Sequence, residues 1–418
     1  MATTATTVTF NDMLKEFMPY ELLVEEIKRR NFFWNKVEKS EDWMGGTLKV
    51  PFEGAEASSL SFGNLTSSSD IAENKEVLGT VSSYRELWGS MIFNERDLDL
   101  HGDMKSSFLK ILPNKIDQFV KKMSDRVSHS LLIGDAICKL TATGGATGEL
   151  TVDHPERLTI GEKVSVCAVG VTAAVVGYIR TINMNTKVCV AYDARTGGSV
   201  VNYSAFTVAN GAALYTPGIV VTGQTAVQGI GFSNLKNSLL SLANGGSTNL
   251  YGVAKTAYPY LQAQNIPGAA ITADNILEKL FDAFFDVSTL GKGMPTSIVC
   301  SMKHFKNCAK TLELDRRYSA TDKAAGYGWR KVTVMGNDGE MEIIGVRDMD
   351  DSEIFILDWS SMKFFGSHFF DRKRHMNGDE FFLERAVTGY TYIVDIRFYG
   401  DLVVHAPSYN GIVYGITY

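Results

Sequence analysis

The spacing of apolar residues changes along this chain, and that change constrains the fold more than any other feature of the sequence. Over residues 103 to 133 apolar side chains recur every three or four positions, which predicts one long amphipathic helix, bent or restarted near Pro113. From about residue 150 to residue 215 the period becomes two, which predicts four or five short strands in the segments EKVSVCAV, AAVVGYIRTIN, TKVCVAY and GSVVNYSAFTVA. A long helix therefore precedes a small β-barrel or sandwich that interrupts the flanking helix and strand patterns.

Ahead of the long helix, the first 42 residues contain an amphipathic helical pattern. Two strand patterns follow, GGTLKVPFEG and VLGTVSSYRELWGSMIF, and residues 54 to 76 between them are mainly small and polar. This arrangement predicts a long hairpin or extended loop whose apolar content is too low for a core of its own. Two interpretations stay open, a free surface loop and a loop draped over a partner.

After residue 229 helical and strand patterns alternate. Helices are predicted over 233 to 243 and 272 to 289, the second with Thr272 as its N-cap. TSIVCS reads as a buried strand, three further strands follow in hairpin order (KVTVMG, EMEIIGVRDM and EIFILDW), and the last forty residues are strand-like. The fold class predicted is α+β with an all-β insertion.

Composition excludes several classes of function. The 418 residues carry 41 Lys and Arg against 47 Asp and Glu, a formal charge of −6, which disfavours a dedicated nucleic-acid binder. No window approaches the roughly 20 apolar residues of a bilayer span, so no membrane partner is expected. The five cysteines are scattered and never in C-x-x-C spacing, which indicates neither a disulfide framework nor a zinc ribbon.

Motifs that carry chemistry are missing from the sequence. It contains no G-x-x-x-x-G-K-[ST], G-x-S-x-G or H-E-x-x-H, so no phosphate cradle, nucleophile elbow or zinc-protease helix is predicted. Cys300, His304 and Cys308 are spaced by four, as metal ligands on one helix would be, but packed core residues are the better interpretation. The acidic run from Asp348 to Glu353 is interpreted as a turn between strands. We expect no catalytic residue, no cofactor and no metal.

The order of these elements resembles the major capsid protein of tailed double-stranded DNA bacteriophages, the Hong Kong 97-type fold. The matching stretches are GGTLKVPF to ELWGSMIF for the family's E-loop, the helix ending in SLLIGD for its spine helix, and the closing DIRFYGDLVVHAPSYNGIVYG for its last peripheral-domain strands. In that closing stretch Arg397, Asp401, Ala406 and Pro407 follow the family's pattern.

The resemblance implies a division of the chain into six parts: an N-terminal arm at 1–42, an E-loop at 43–94, a peripheral domain with the spine helix at 95–139, a β-rich insertion domain at 140–215, an axial domain with peripheral connections at 216–372, and returning peripheral strands at 373–418. It also implies that the arm and the E-loop contact neighbouring subunits, through Phe10, Phe17, Lys49, Phe52, Phe62, Lys75 and Trp88.

The partners implied are copies of the chain itself, as pentamers and hexamers in an icosahedral shell, with a scaffolding protein, a portal protein and a decoration protein. Packaged DNA would be contacted weakly and without sequence specificity. Because the arm begins almost at Met1, a separate scaffolding protein is expected rather than a cleaved segment of this chain. The resemblance places the protein in the virion, after assembly in the bacterial cytoplasm, and Pro113 becomes a candidate flexing point of the spine helix.

Two other functions stay open. The chain is alternatively another β-rich virion component, such as a tail or adhesion protein that binds through residues 150 to 215. It is alternatively an enzyme whose site uses unremarkable residues, which a ligand-sized pocket with converging polar groups would indicate. The long amphipathic helix argues against a fibre.

Overall fold

The structure is a computed structural model that describes the following residues: 32–41, 43, 46–52, 77–81, 86–94, 104–134, 136–168, 175–209, 212–215, 233–244, 246–290, 293–315, 332–336, 339–366, 371–372, 384–385 and 391–417. The chain folds into two compact units, the first formed by Met1–Ser128 together with Ser233–Tyr418 and the second by His129–Phe232.

The helices, in chain order, are α1 (Phe32–Lys36), α2 (Met104–Leu132), α3 (Leu235–Leu239), α4 (Ile276–Leu290) and α5 (Met302–Asp315). Single 3-10 turns lie at Pro155–Arg157, Leu242–Asn244, Lys255–Ala257, Pro259–Leu261, Trp359–Ser361 and Pro407–Tyr409.

The strands, in chain order, are β1 (Glu38–Ser40), β2 (Leu48–Pro51), β3 (Leu78–Val81), β4 (Glu86–Asn94), β5 (Ala136–Lys139), β6 (Glu149–Thr151), β7 (Lys163–Cys167), β8 (Val175–Asn183), β9 (Val188–Tyr192), β10 (Ala213–Tyr215), β11 (Asn249–Leu250), β12 (Val253–Ala254), β13 (Gln264–Pro267), β14 (Ser297–Ser301), β15 (Val332–Gly336), β16 (Gly339–Val346), β17 (Glu353–Leu357), β18 (Met362–Phe365), β19 (Asp371–Arg372), β20 (Glu384–Arg385), β21 (Thr391–Tyr399), β22 (Asp401–Val404) and β23 (Gly411–Tyr414).

A hydrophobic core of the first unit lies on a six-stranded mixed sheet of order β13-β23-β17-β14-β16-β15. Every residue of β14 is buried, as the apolar run TSIVCS predicts. The expected hairpin order is confirmed for β15 and β16, which pair antiparallel. It is wrong for β16 and β17, because β14 inserts between them, parallel to β16 and antiparallel to β17. Helices α4 and α5 bring buried apolar side chains, including Leu280 and Cys308, to the same core.

The long helix α2 runs unbroken through Pro113, so the predicted restart does not occur, and the predicted bend stays a prediction. At ~1.5 Å per residue its 29 residues extend over roughly 43 Å. Val120, Met123 and Val127 are buried at helical spacing, as the pattern predicts. Strand β4 pairs along its whole length with β21, in register from Glu86 opposite Tyr399.

The end of the predicted arm is built into the first unit. Strand β1 pairs in parallel with β18, and β18 pairs with β22. In α1 the Trp34 ring lies 5.3 Å from Phe364 and 5.6 Å from Phe398, in edge-on geometry. Residues 32 to 40 therefore make contacts within their own chain, and the assignment of residues 1–42 to an N-terminal arm stays a prediction.

The second unit contains a closed six-stranded barrel. Its strand order is β5-β10-β7-β8-β9-β6, and the two ends of that order are joined where Leu140 bridges Val152. Just beyond the bridge, the Asp153 amide donates to the Lys139 carbonyl at 3.1 Å. Closure joins the first and last strands of this order, which is the property that distinguishes a barrel from a sandwich.

Tyr203 and Phe206 fill much of the barrel interior, with ring centroids 6.1 Å apart and almost no exposure. The pattern GSVVNYSAFTVA was expected to be a strand, and this expectation is wrong. The Asn202 side chain accepts a hydrogen bond from the Ser204 amide at 2.9 Å, a local turn that competes with strand pairing. The apolar residues of the segment reach the core from a loop.

Candidate subunit interface

Strands β2 and β3 form a two-stranded antiparallel hairpin, as the sequence predicts. Lys49 lies opposite Thr80, and Pro51 lies opposite Leu78. The Phe52 amide donates to the Val77 carbonyl at 3.2 Å, so pairing continues toward residues 53 to 76, which lie outside the described part of the chain.

The hairpin has one buried face and one exposed face, because side chains alternate along each strand. Val50 and Val81 are each 3% exposed and pack with Trp43 and Val403. The opposite face carries Lys49, Pro51, Leu78 and Thr80, all of them exposed. A two-stranded ribbon is marginal in water by itself, so this packed face holds the hairpin on its subunit.

Phe52 fixes the hairpin where it leaves the core. Its side chain is 6% exposed and packs with Leu250 and Leu261. Its ring stacks on Tyr251, with centroids 6.1 Å apart and planes at 17°. Phe52 is thus an anchor within its own chain, and its contact with a neighbouring subunit stays a prediction.

Tyr251 is the residue of this site that sequence reasoning missed. Its carbonyl accepts the Thr80 amide at 2.7 Å, and its hydroxyl accepts the Val404 amide at 2.8 Å and donates to the Leu402 carbonyl at 3.2 Å. The dipeptide Tyr251-Gly252 between short apolar runs is a turn signal in the sequence, but it says nothing of partners so far away along the chain.

Trp88 lies outside the hairpin, in β4, although the expected E-loop included it. The indole is 45% exposed and its Nε1 donates to the Glu86 carboxylate at 2.9 Å. It lies opposite Arg397, whose guanidinium is 5.9 Å from the centroid of the indole ring. Its exposure leaves it available for a partner, on a different sheet from Lys49.

The other predicted contact residues are not placed. Phe10, Phe17, Phe62 and Lys75 lie outside the described residues, and Pro113 is described only as part of the α2 backbone.

A buried lysine supports the turn that carries Tyr251. The Lys255 ammonium is 4% exposed and donates to the carbonyls of Asn237 at 2.6 Å and Leu240 at 2.9 Å, at the end of α3. Burial lowers its pKa to about 8, because no solvent compensates the charge. A cation near a helix C-terminus interacts favourably with the unpaired carbonyl groups there. Lys255 therefore links the end of α3 to the β11–β12 turn.

The Cys300, His304 and Cys308 constellation is divided between a strand and a helix. The His304 Nε2 donates to the Asp351 carbonyl at 2.7 Å, and burial lowers the pKa of that imidazole. Burial raises the pKa of the Cys308 thiol to about 12 and that of the Cys300 thiol well above its ordinary value. Protonated thiols are poor metal ligands and poor nucleophiles. Among the described residues no group of three or more His, Cys, Asp or Glu side chains is placed to hold a metal ion.

The acidic run from Asp348 to Glu353 forms the predicted turn between β16 and β17. Its last member, Glu353, is buried and makes an ion pair with Lys236 of α3. The run is therefore part of the framework of the first unit.

No described helix is both long enough and apolar enough to cross a membrane.

Comparison with solved structures finds matches over most of the chain. A chain of the cyanophage A-1(L) capsid asymmetric unit is 10% identical over 92% of this chain and 91% of its own, with a TM-score of 0.46. A chain from the capsid of an empty GTA particle is 10% identical over 93% and 90%, with a TM-score of 0.45. A chain from the satellite phage P4 procapsid including size determination (Sid) protein is 8% identical over 96% and 91%, with a TM-score of 0.40.

These matches come from capsids and a procapsid, the class of structure that the sequence resemblance indicates. No family model and no curated protein matches the chain. Each of these TM-scores is below 0.5, and the identities are 8% to 10%.

Proposed function

We propose that the protein is a structural subunit that assembles with copies of itself into the icosahedral shell of a double-stranded DNA bacteriophage. The observation that carries this proposal is the β2–β3 hairpin. One of its faces is rooted in the subunit, whereas the other exposes Lys49 and Leu78, with Leu78 52% exposed. Chain surfaces of this kind are satisfied when a neighbouring subunit covers them.

The hairpin suits repeated, head-to-tail contact. A loop that contacts a different surface of the next subunit makes a heterologous interface, and such interfaces close into rings when the rotation allows it. The proposed rings are pentamers and hexamers, in which residues 43–81 of each subunit overlap a neighbour. In this scheme residues 82–94, with Trp88, belong to the peripheral domain rather than to the E-loop.

The sequence supports the same proposal through its charge and its lack of chemical motifs. A subunit with a formal charge of −6 binds packaged DNA weakly, which suits a container whose contents must leave. We assign it no enzymatic activity. A separate scaffolding protein, a portal protein and a decoration protein are further proposed partners, and the virion is its proposed location.

The barrel is proposed as an insertion domain in this subunit. Three roles stay open for it: stabilising the subunit, bridging neighbours, or binding a decoration protein. Because the two ends of its strand order are joined at the Leu140–Val152 bridge, we expect a partner to bind through side chains or loops rather than by adding a strand.

The test compares two exposed apolar residues of equal exposure. Leu78 on the hairpin is 52% exposed and Met302 at the start of α5 is 53% exposed. The chain is expressed with its neighbouring genes and examined by sedimentation and negative-stain electron microscopy. We expect closed shells or free rings from the wild type and from Met302→Asp, and loss of both from Leu78→Asp.

Two outcomes contradict the proposal. Shells that form equally well with Leu78→Asp would remove the hairpin from the interface. A wild-type chain that stays monomeric with every candidate scaffolding partner would refute the shell and favour the alternative, a tail or adhesion protein that binds through the barrel.

A further inference from the structure

The turn between β11 and β12 adopts a backbone conformation that tyrosine rarely takes. Leu250 pairs with Val253, so the turn consists of Tyr251 and Gly252, with φ of 48° and 85°. Positive φ at both positions is typical of type I′ hairpin turns, in which Asn, Asp and Gly are preferred. A bulky side chain there costs about 1 kcal/mol or more, so its surroundings must hold it in place.

The contacts of Tyr251 join two parts of the first unit. Its carbonyl and its ring contact the hairpin, through the Thr80 amide at 2.7 Å and the Phe52 ring. Its hydroxyl contacts β22 on either side of Val403. It accepts a hydrogen bond from the Val404 amide and donates one to the Leu402 carbonyl. A single residue therefore connects the root of the hairpin to β22, an edge strand of the β1-β18-β22 sheet.

Gly79 makes this close approach sterically allowed. A β-carbon at position 79 would lie 2.9 Å from the Phe52 ring and 2.9 Å from the Tyr251 Cβ, which is closer than van der Waals contact permits. The inward face of β3 is thus shaped to receive Tyr251.

We propose that Tyr251 is the positioning residue of the hairpin, which clamps its root to β22 and so fixes the orientation of β2 and β3 on the first unit. The hydroxyl is the part of the clamp that can be removed without loss of packing. The consequence for assembly rests on the proposed function, whereas the clamp itself is a property of the isolated chain.

The first experiment measures amide hydrogen exchange by mass spectrometry on the full-length chain, comparing wild type with Tyr251→Phe. Loss of the hydroxyl removes two hydrogen bonds and keeps the ring, so exchange in peptides covering residues 77–81 and 402–404 should be about tenfold faster. Peptides from β14 and from the barrel should exchange as in the wild type. A variant that only lowered global stability would accelerate exchange in β14 as well.

A second pair of variants tests the clamp from the side of the hairpin. Gly79→Ala introduces the clashing β-carbon, whereas Gly46→Ala introduces one with nothing within 4 Å. We expect faster exchange at 402–404 for Gly79→Ala alone, because the hydroxyl is pushed away from β22. Unchanged exchange at 402–404 in both Tyr251→Phe and Gly79→Ala overturns the proposal, as does acceleration that is equal in β14.

Assembly provides the third measurement and separates the two proposals. If Tyr251→Phe shows local acceleration and fewer or misshapen shells, both stand. If it shows local acceleration while the wild type forms no shell, the clamp stands and the proposed function fails. If wild-type shells form and Tyr251→Phe assembles normally with unchanged exchange, the clamp fails alone.

Discussion

The hairpin and the barrel differ in how the backbone groups at the edges of their strands find hydrogen-bond partners. In the barrel the bridge between Leu140 and Val152 joins the first and last strands of the sheet, so backbone donors and acceptors are satisfied internally. In the hairpin two four-residue strands pair only with each other, and Tyr251 supplies a further acceptor. One region therefore carries its own core, whereas the other depends on the rest of the first unit.

The largest expected effect comes from emptying the barrel core. Phe206 is 1% exposed, so Phe206→Ala should lower the free energy of unfolding of the barrel by about 4 kcal/mol through lost burial and a cavity. Hydrogen exchange should accelerate across the barrel strands and stay unchanged in β2 and β3. Val208→Ala, at a position 52% exposed, is the matched control and should change stability by less than about 0.5 kcal/mol. Equal acceleration in the hairpin would contradict the independence of the two regions.

Removing the anchor of the hairpin should produce the reverse pattern. Phe52→Ala should destabilise the hairpin root by about 3 kcal/mol, since the stacked ring and its contacts with Leu250 and Leu261 are lost. Limited proteolysis within residues 53 to 76 and exchange at 77–81 measure the effect. A barrel that loosens to the same extent would show that the hairpin is not a separate structural element.

A smaller effect depends on pH and on Lys255. The folded chain holds this ammonium with a pKa of about 8, below the ordinary value of 10.5, so the unfolded chain binds the proton more tightly. Stability contributed by Lys255 is therefore reduced at neutral pH and should rise by about 2 kcal/mol between pH 8 and pH 10.

Lys255→Met removes the titrating group, so the difference in unfolding free energy between wild type and variant isolates this rise. Urea unfolding at several pH values gives the difference. A difference that is constant from pH 8 to pH 10 would mean that the lysine titrates normally in the folded chain.

The smallest expected effect concerns the cysteine thiols, which we expect not to react in the native chain. All five cysteines are buried and none forms a disulfide, and burial raises the pKa of Cys189 to about 11. A disulfide reagent at pH 8 should label none of them in the native chain and all of them in the unfolded chain. In intermediate denaturant, Cys138, Cys167 and Cys189 report on the barrel and Cys300 and Cys308 on the mixed sheet. Rapid labelling of any native thiol would contradict the burial described for it.

Local patterns in the sequence predicted individual helices and strands better than they predicted which strands are neighbours in a sheet. The alternation in β2, the apolar run of β14 and the helical spacing of α2 each follow from one segment and were all found. The insertion of β14 between β16 and β17 was missed, because a crossover is decided by packing between distant segments. GSVVNYSAFTVA was misread because Asn202 makes a local turn that apolar alternation does not reveal.

Of the candidate interface, the sequence predicted the hairpin and its exposed Lys49 but not its anchors. Phe52 was predicted to contact a neighbouring subunit, whereas the structure shows its ring packed with Leu250, Leu261 and Tyr251 of its own chain. Tyr251 was missed because its hydroxyl partners lie 151 and 153 positions away and its positive φ opposes the ordinary preference of tyrosine.

The two ends of the barrel leave it side by side. Strand β5, where the chain enters, is paired with β10, where the chain exits, and Ala136 lies opposite Tyr215. Paired residues of antiparallel strands are only about 5 Å apart, so a short connection between Ala136 and Tyr215 could replace the residues between them. A module of this form can be gained, lost or exchanged during evolution with little effect on the path of the host chain. The same property makes the position between Ala136 and Tyr215 a suitable site for inserting a foreign domain into the chain.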